Sequence, residues 1–115
     1  MKKVAFFLAI VLVLSAPLSV SAATYALTLN PHLSFDGTTA VCEVTVVGNN
    51  MSDLLEVEMK LMHGTTCIAS WSAEGYGFVN LERYANVTKG QTYTLVVAVT
   101  MNGVSKTPVT KTNTC

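Results

Sequence analysis

The chain has 115 residues, and its seven basic and seven acidic side chains give a formal net charge of zero at pH 7. This length suits a single small domain. The thinly spread lysines and arginines form no basic stripe for a phosphate backbone, which argues against nucleic acid as a partner.

The N-terminal segment has the pattern of a secretory signal peptide. Lys2 and Lys3 precede an unbroken apolar run over residues 4–14, which is shorter than the about 20 residues needed to span a bilayer. Small residues follow, and cleavage is expected after Ala22, with Ala23 as the second choice. Residues 1–22 are therefore predicted to be removed, leaving residues 23–115 as one secreted, extracellular domain with no attachment to a membrane.

The remaining sequence is rich in Thr and Val and shows short apolar alternations between turn residues, a pattern typical of an all-β sandwich or small barrel. Seven strands are predicted in chain order, at residues 25–29, 39–47, 55–61, 65–72, 78–85, 92–101 and 104–112. Pro31 is expected to stop or bulge the first strand, with Leu33 and Phe35 resuming the same face. Residues 74–77 are expected to form a flexible loop.

The faces of the middle strands follow from side-chain alternation. Cys42 shares a face with the apolar residues of the second strand, and Cys67 shares a face with Trp71 in the fourth. For the fifth strand two inward pairs remain open, Val79 with Leu81 or Phe78 with Tyr84.

The C-terminal hairpin has the strongest local signal. Asn102 and Gly103 favour a type I′ turn, because both positions of that turn need positive φ. The last strand should therefore pair antiparallel with its predecessor. Its Lys106, Pro108 and Lys111 discourage pairing with a further strand, so an edge position is predicted.

All three cysteines lie in the predicted exported part, where an oxidising compartment favours a disulfide. Loop entropy does not choose between pairings, but a bridge from Cys42 to Cys115 would tether the chain terminus and is the pairing expected. Cys67 is then a buried small hydrophobe or a free thiol, with an intermolecular bridge as the alternative. His32 and His63 lack ligand spacing with the cysteines, and neither a metal nor another cofactor is expected.

Several blocks of sequence resemble immunoglobulin-like and fibronectin type III-like sandwiches, and specifically small exported proteins of Gram-positive bacteria whose role is uncharacterised. These blocks are Cys42-Glu43-Val44-Thr45-Val46, Ala69-Ser70-Trp71-Ser72, Gly90-Gln91-Thr92-Tyr93-Thr94-Leu95 and the closing Cys115. The resemblance implies an immunoglobulin-like β-sandwich of about seven antiparallel strands, with Tyr93 as the corner tyrosine before the sixth. It implies no catalytic residues. Trp71 falls one strand later than the buried Trp of antibody domains, which departs from their inter-sheet disulfide pattern.

No motif in the sequence points to catalysis, since a nucleophile elbow and a base beside a Ser or Cys are both missing from it. Four aromatic residues near a glycine-rich stretch form a candidate binding surface: Trp71, Tyr76, Phe78 and Tyr84. The function expected is a secreted, monomeric binding module for an unknown protein or glycan, not an enzyme. The alternatives are an assembly protein that associates through an edge strand or Cys67, and a small bacteriocin-like effector.

Overall fold

The structure, a computed structural model, describes residues 27–115. The predicted signal peptide, its cleavage point and Tyr25 of the first predicted strand lie outside the described residues. Within residues 27–115 no helix is long and apolar enough to cross a membrane.

The described chain forms antiparallel strands in two sheets. The strands are β1 (Thr28–Asp36), β2 (Thr39–Val47), β3 (Leu54–His63), β4 (Thr66–Tyr76), β5 (Phe78–Asn86), β6 (Thr92–Met101), β7 (Val104–Ser105) and β8 (Val109–Thr114). One sheet has the order β1-β2-β5. In the other, β4, β3 and β6 follow one another, and β7 and β8 both pair with β6.

This arrangement confirms the predicted all-β immunoglobulin-like sandwich. β1 and β2 form a hairpin, and β2 also pairs with β5, which comes three strands later. In constant-type antibody domains the fourth strand joins the sheet of the first two. Here β4 pairs instead with β3 in the second sheet.

The core lies between the sheets because alternate residues of the central strands face the same layer. Every second residue of β2 from Ala40 to Val46 is buried, as is every second residue of β3 from Leu55 to Leu61. In β6 the same holds from Tyr93 onwards. Burying one such Val or Leu side chain stabilises the fold by about 1.5–3 kcal/mol, so these three strands supply much of the hydrophobic stabilisation. In β5, Val79 and Leu81 face inward, which settles the alternative that the sequence left open.

Tyr93 occupies the predicted corner. Its hydroxyl oxygen accepts a 2.8 Å hydrogen bond from the backbone N–H of Thr88, five residues upstream. Its ring lies 6.0 Å from that of Phe35 and 5.1 Å from that of His63, measured between centroids. The buried ring thereby anchors the loop before β6 to both sheets.

Pro31 and Pro108 do not affect their strands in the way that the sequence predicts. β1 runs through Pro31 without a stop, because an edge strand needs no N–H donor on its outer side. The last predicted strand is instead divided: β7 and β8 are separated by residues 106–108, where Pro108 cannot donate to the ladder. The antiparallel pairing with β6 and the edge position are confirmed.

The predicted loop at residues 74–77 is wrong, because β4 continues to Tyr76. Glu74, Gly75 and Tyr76 pair in register with β3. Only Gly77 turns the chain, with a φ of 75° that favours glycine. A glycine inside a strand therefore misled the sequence-based prediction.

A β-bulge near the start of β4 exposes Cys67. Leu61 pairs with Ala69 whereas the next residue, Met62, pairs with Cys67, so Ile68 is an extra residue on β4. One inserted residue reverses the faces of those before it. Cys67 therefore points outward with Met62 and does not share the inward face of Trp71 as predicted. Of the two states expected for it, the buried one is wrong, and Cys67 is an exposed free thiol.

The predicted bridge between Cys42 and Cys115 is not formed, and all three thiols are free. Cys42 is buried in the core, whereas Cys115 follows β8 and its Sγ donates to the carbonyl oxygen of Gly37 at 3.4 Å. The last residue is tied down by its backbone instead. Its N–H donates to Gln91 O at 2.9 Å and its carbonyl accepts from Gly90 N at 3.1 Å.

Candidate binding surface

The four aromatic residues predicted as a binding surface do not form one platform. Trp71 is half-buried and packs against the core. Tyr84 lies on the outer face of β5, six residues or about 20 Å along the strand from Phe78, and its hydroxyl donates to Glu82 at 3.1 Å. That hydrogen bond to the carboxylate raises the pKa of Tyr84. Only Tyr76 and Phe78 are neighbours, on either side of the Gly77 turn.

Those two residues belong to a larger group of exposed apolar side chains at one end of the sandwich. We call this group the apolar end and define it as Val47, Met51, Tyr76 and Phe78. Tyr76 is 65% exposed, Phe78 52% and Met51 76%. Val47 pairs directly with Phe78 across β2 and β5, so their side chains point to the same side.

Gly77 brings the loop between β2 and β3 against the β4–β5 turn. A Cβ on Gly77 would lie 2.8 Å from Met51 Cα and 2.9 Å from Met51 Sδ. Because one of these atoms is backbone, it cannot swing away from a larger residue. The absence of a side chain at Gly77 therefore lets Met51 lie directly against the β4–β5 turn.

Asp53 holds this loop in place. Its side chain is 4% exposed, and its Oδ2 accepts hydrogen bonds from the backbone N–H groups of Asn49 at 2.7 Å and Asn50 at 2.9 Å. Its carbonyl oxygen accepts from Gly77 N at 2.8 Å, and Gly77 O in turn accepts from Gly48 N at 2.9 Å. One residue thus joins the β2–β3 loop to the β4–β5 turn.

Asn102 adds the third loop. Its Nδ2 donates to Asp53 Oδ1 at 2.9 Å, and its Oδ1 accepts from Leu54 N at 2.8 Å. Its own N–H donates to Leu54 O at 2.8 Å. Among residues 27–115, Asn102 is the one residue other than glycine with positive φ, at 53°. The turn predicted from Asn102 and Gly103 therefore also supplies a contact that the sequence did not indicate.

These hydrogen bonds set the charge of Asp53. The bond from Asn102 and those from the backbone N–H groups of Asn50 and Asn49 hold the pKa of the Asp53 carboxyl below its ordinary value of 3.8, against a smaller opposing effect of burial. The carboxylate is therefore ionised at neutral pH. It accepts hydrogen bonds from the β2–β3 loop and from Asn102, while the backbone carbonyl of Asp53 accepts the bond from the β4–β5 turn.

The chemistry of this end favours binding by apolar contact. The polar atoms of Asp53 and Asn102 bond to each other and to the backbone. The four residues of the apolar end present aliphatic, aromatic or thioether side chains to solvent, next to the exposed Asn49, Asn50 and Ser52 of the β2–β3 loop. Fixed loops of this kind bind with little loss of conformational entropy. Throughout residues 27–115, no group of three or more His, Cys, Asp or Glu side chains is placed to hold a metal ion.

Apart from the apolar end, a groove lies on the outer face of β4, β3 and β6. This groove of about 560 Å³ is lined in part by Glu56, Glu58, Glu74 and Ser72. Glu56 and Glu74 are directly opposite each other in the sheet, and Glu58 lies 4.0 Å from Lys60 in an exposed ion pair. Such exposed pairs add little stability. Glu56, Glu58 and Lys60 form the solvated face of β3, whose other face is buried.

Sequence reasoning missed Val47, Met51 and Asp53. The local signal was a loop of Gly48, two asparagines and then Asp53 just before a strand, in which short polar side chains bond to nearby backbone N–H groups. The contact from Asp53 to Asn102, however, spans 49 positions. No periodicity or spacing rule joins residues so far apart.

Comparison of the chain with protein-family models and with curated proteins gives no match. Function is therefore inferred from the geometry of the described residues.

Proposed function

We propose that this protein is a secreted binding module whose apolar end docks onto an apolar patch of a protein partner. The observation that carries the proposal is the concentration of exposed apolar side chains at strand ends, and at Met51 in a loop, where the hydrogen bonds of Asp53 tie the chain segments together. Of the seven large apolar side chains exposed in residues 27–115, five lie at this end: the four residues of the apolar end and Val104. Single exposed apolar residues are normal, whereas a cluster on a small domain marks an interaction site.

A protein partner fits this surface better than a glycan does. Sugar binding combines aromatic stacking with polar side chains that hydrogen-bond the hydroxyl groups. Here Asp53 and Asn102, the polar side chains that organise the loops, already bond to each other and to backbone groups. Aromatic and Met side chains are also the residues enriched in protein–protein interfaces.

The test uses the chain from Ala23 onward, immobilised and exposed to the secreted and surface proteins of the source organism. Three forms are compared: the wild type, the double variant Met51→Ser/Phe78→Ser, and the control Tyr84→Ser. Tyr84 is as exposed as Phe78 but lies at the other end of β5. Circular dichroism first establishes that all three forms are folded.

The expected result is one defined protein retained by the wild type and by Tyr84→Ser, with at least about tenfold weaker retention by the double variant. Equal retention by the double variant contradicts the proposed surface. Binding to a glycan array that survives the double variant contradicts the proposed class of partner.

A further inference from the structure

The two sheets present four strand edges, and three of them carry residues that discourage pairing with another chain. β1 contains Pro31, β8 is preceded by Pro108 and contains Lys111, and β5 contains the adjacent charges Glu82 and Arg83. Prolines and charges at edges are the usual means by which sheet proteins avoid edge-to-edge association. β4, the fourth edge, is different.

β4 is the longest strand in the described chain, and it lies at the end of its sheet. From Thr66 to Ala73 it has neither a charged residue nor a proline. Beyond the bulge at Ile68, residues 69–76 pair regularly with β3, so the opposite edge of that stretch offers a regular row of backbone groups. Residues 69–73 are thus both regularly paired and uncharged, with Glu74 next to them, and an uncharged stretch of strand edge is a template for another strand.

We propose that β4 pairs antiparallel with β4 of a second copy of this chain, around a two-fold axis at Ser72. Residues directly opposite each other in one sheet point to the same side, so an outward residue has to face an outward residue. With the axis at Ser72, Ser72 faces its own copy. Ser70 then faces Glu74 of the second copy, and no like charges meet.

This register also covers the apolar side chains that the edge exposes. The exposed Ile68 and Tyr76 lie beside each other across the interface, since their positions are equally distant from Ser72. Trp71, which is half-buried and inward-facing, lies opposite Ala73 of the second copy, where a small side chain leaves room for the indole. An axis at Glu74 would instead place that carboxylate opposite itself, which is destabilising.

Disulfide trapping tests the register. Cys67→Ser removes the exposed thiol, and single cysteines are then introduced by Ser72→Cys, Ser70→Cys or Thr110→Cys. Thr110 is an exposed residue of β8, on the opposite edge of the same sheet. Under mild oxidation we expect a covalent dimer from Ser72→Cys, and only the background level of Cys67→Ser from the other two. A covalent dimer from Ser70→Cys or Thr110→Cys that equals or exceeds that from Ser72→Cys overturns the proposal.

Sedimentation equilibrium of the wild-type chain in reductant tests the association without a cross-link. We expect a monomer–dimer equilibrium that Ser72→Lys weakens by at least about tenfold, because two like charges then face each other, and that Thr110→Lys leaves unchanged. The chain contains a single tryptophan, so its emission should shift to the red as the dimer dissociates. A wild type that remains monomeric up to millimolar concentration overturns the proposal. Met51→Ser/Phe78→Ser should still dimerise, which separates this inference from the proposed partner site.

Discussion

The Nδ2 group of Asn102 donates a 2.9 Å hydrogen bond to Oδ1 of Asp53, which lies 49 residues earlier in the chain. This bond joins the turn after β6 to the loop before β3. Each end of this bond requires its particular residue. Asp53 must also accept hydrogen bonds from backbone N–H groups, and Asn102 must adopt a φ of 53°. The end of the sandwich that carries the exposed apolar residues depends on both side chains.

Replacing Asn102 with Ala should therefore destabilise the protein by roughly 3–4 kcal/mol. Two side-chain hydrogen bonds are lost at about 1 kcal/mol each, and a residue with a Cβ but no polar group is held in the left-handed region at a cost of about 1–2 kcal/mol. Asn102→Gly loses the same hydrogen bonds without the strain, so it should be about 1 kcal/mol less harmful. Urea denaturation measures both values. Equal losses from the two variants would contradict a role for the backbone conformation.

The ionised state of Asp53 should appear in the pH dependence of stability. Its pKa in the folded protein lies below the ordinary 3.8, so on acidification the unfolded chain takes up the proton first. The contribution of Asp53 to the free energy of unfolding is thus present above about pH 4 and lost as pH falls through the pKa of the folded state.

Asp53→Asn should be less stable than the wild type at pH 7, and the difference between their free energies of unfolding should narrow as pH falls below about 4. Free energies of unfolding measured at each pH provide the comparison. Parallel curves for the two proteins would show that Asp53 is not linked to proton uptake.

How far the sequence predicts this fold depends on how local each feature is. The bounds of β2 and β6 follow from side-chain alternation that ends at turn residues, and the corner role of Tyr93 follows from a resemblance confined to a short block. β4 is misread because Gly75 lies inside the strand and because one inserted residue, Ile68, reverses the face of Cys67. The role of Asp53 depends on a distant loop, which alternation cannot reveal.

Tyr93→Phe tests the corner with the removal of a single oxygen atom. The backbone N–H of Thr88 loses its partner, and the loss of a hydrogen bond in a part-buried setting should cost about 1–2 kcal/mol. Tyr84→Phe removes a hydroxyl whose bond to Glu82 is exposed, so its effect should stay within about 0.5 kcal/mol. Thermal or urea unfolding of the two variants measures the difference. Equal effects would mean that the Tyr93 hydroxyl has no special role.

The three thiols should differ in reactivity because their surroundings differ. Cys67 is exposed and Cys42 is buried, and burial raises the pKa of the Cys42 thiol to about 11. Since the thiolate is the reactive form, a thiol reagent at pH 8 should modify Cys67 rapidly in the folded protein and Cys42 only after unfolding. All three thiols should react in denaturant. Reaction of one thiol alone under those conditions would show a disulfide between the other two.

The same burial of Cys42 predicts a loss of stability in alkali. In the unfolded chain this thiol ionises near its ordinary pKa of 9.0, whereas in the folded protein it retains its proton until about pH 11. The contribution of Cys42 to the free energy of unfolding is therefore complete below about pH 9 and lost as pH rises through the pKa of the folded state. Cys42→Val replaces the thiol with an apolar group of similar volume, so the part of the alkaline loss that Cys42 causes should vanish in that variant. Unfolding free energies of both proteins between pH 8 and pH 11 test this, and an identical decline in the two would assign the whole loss to other groups.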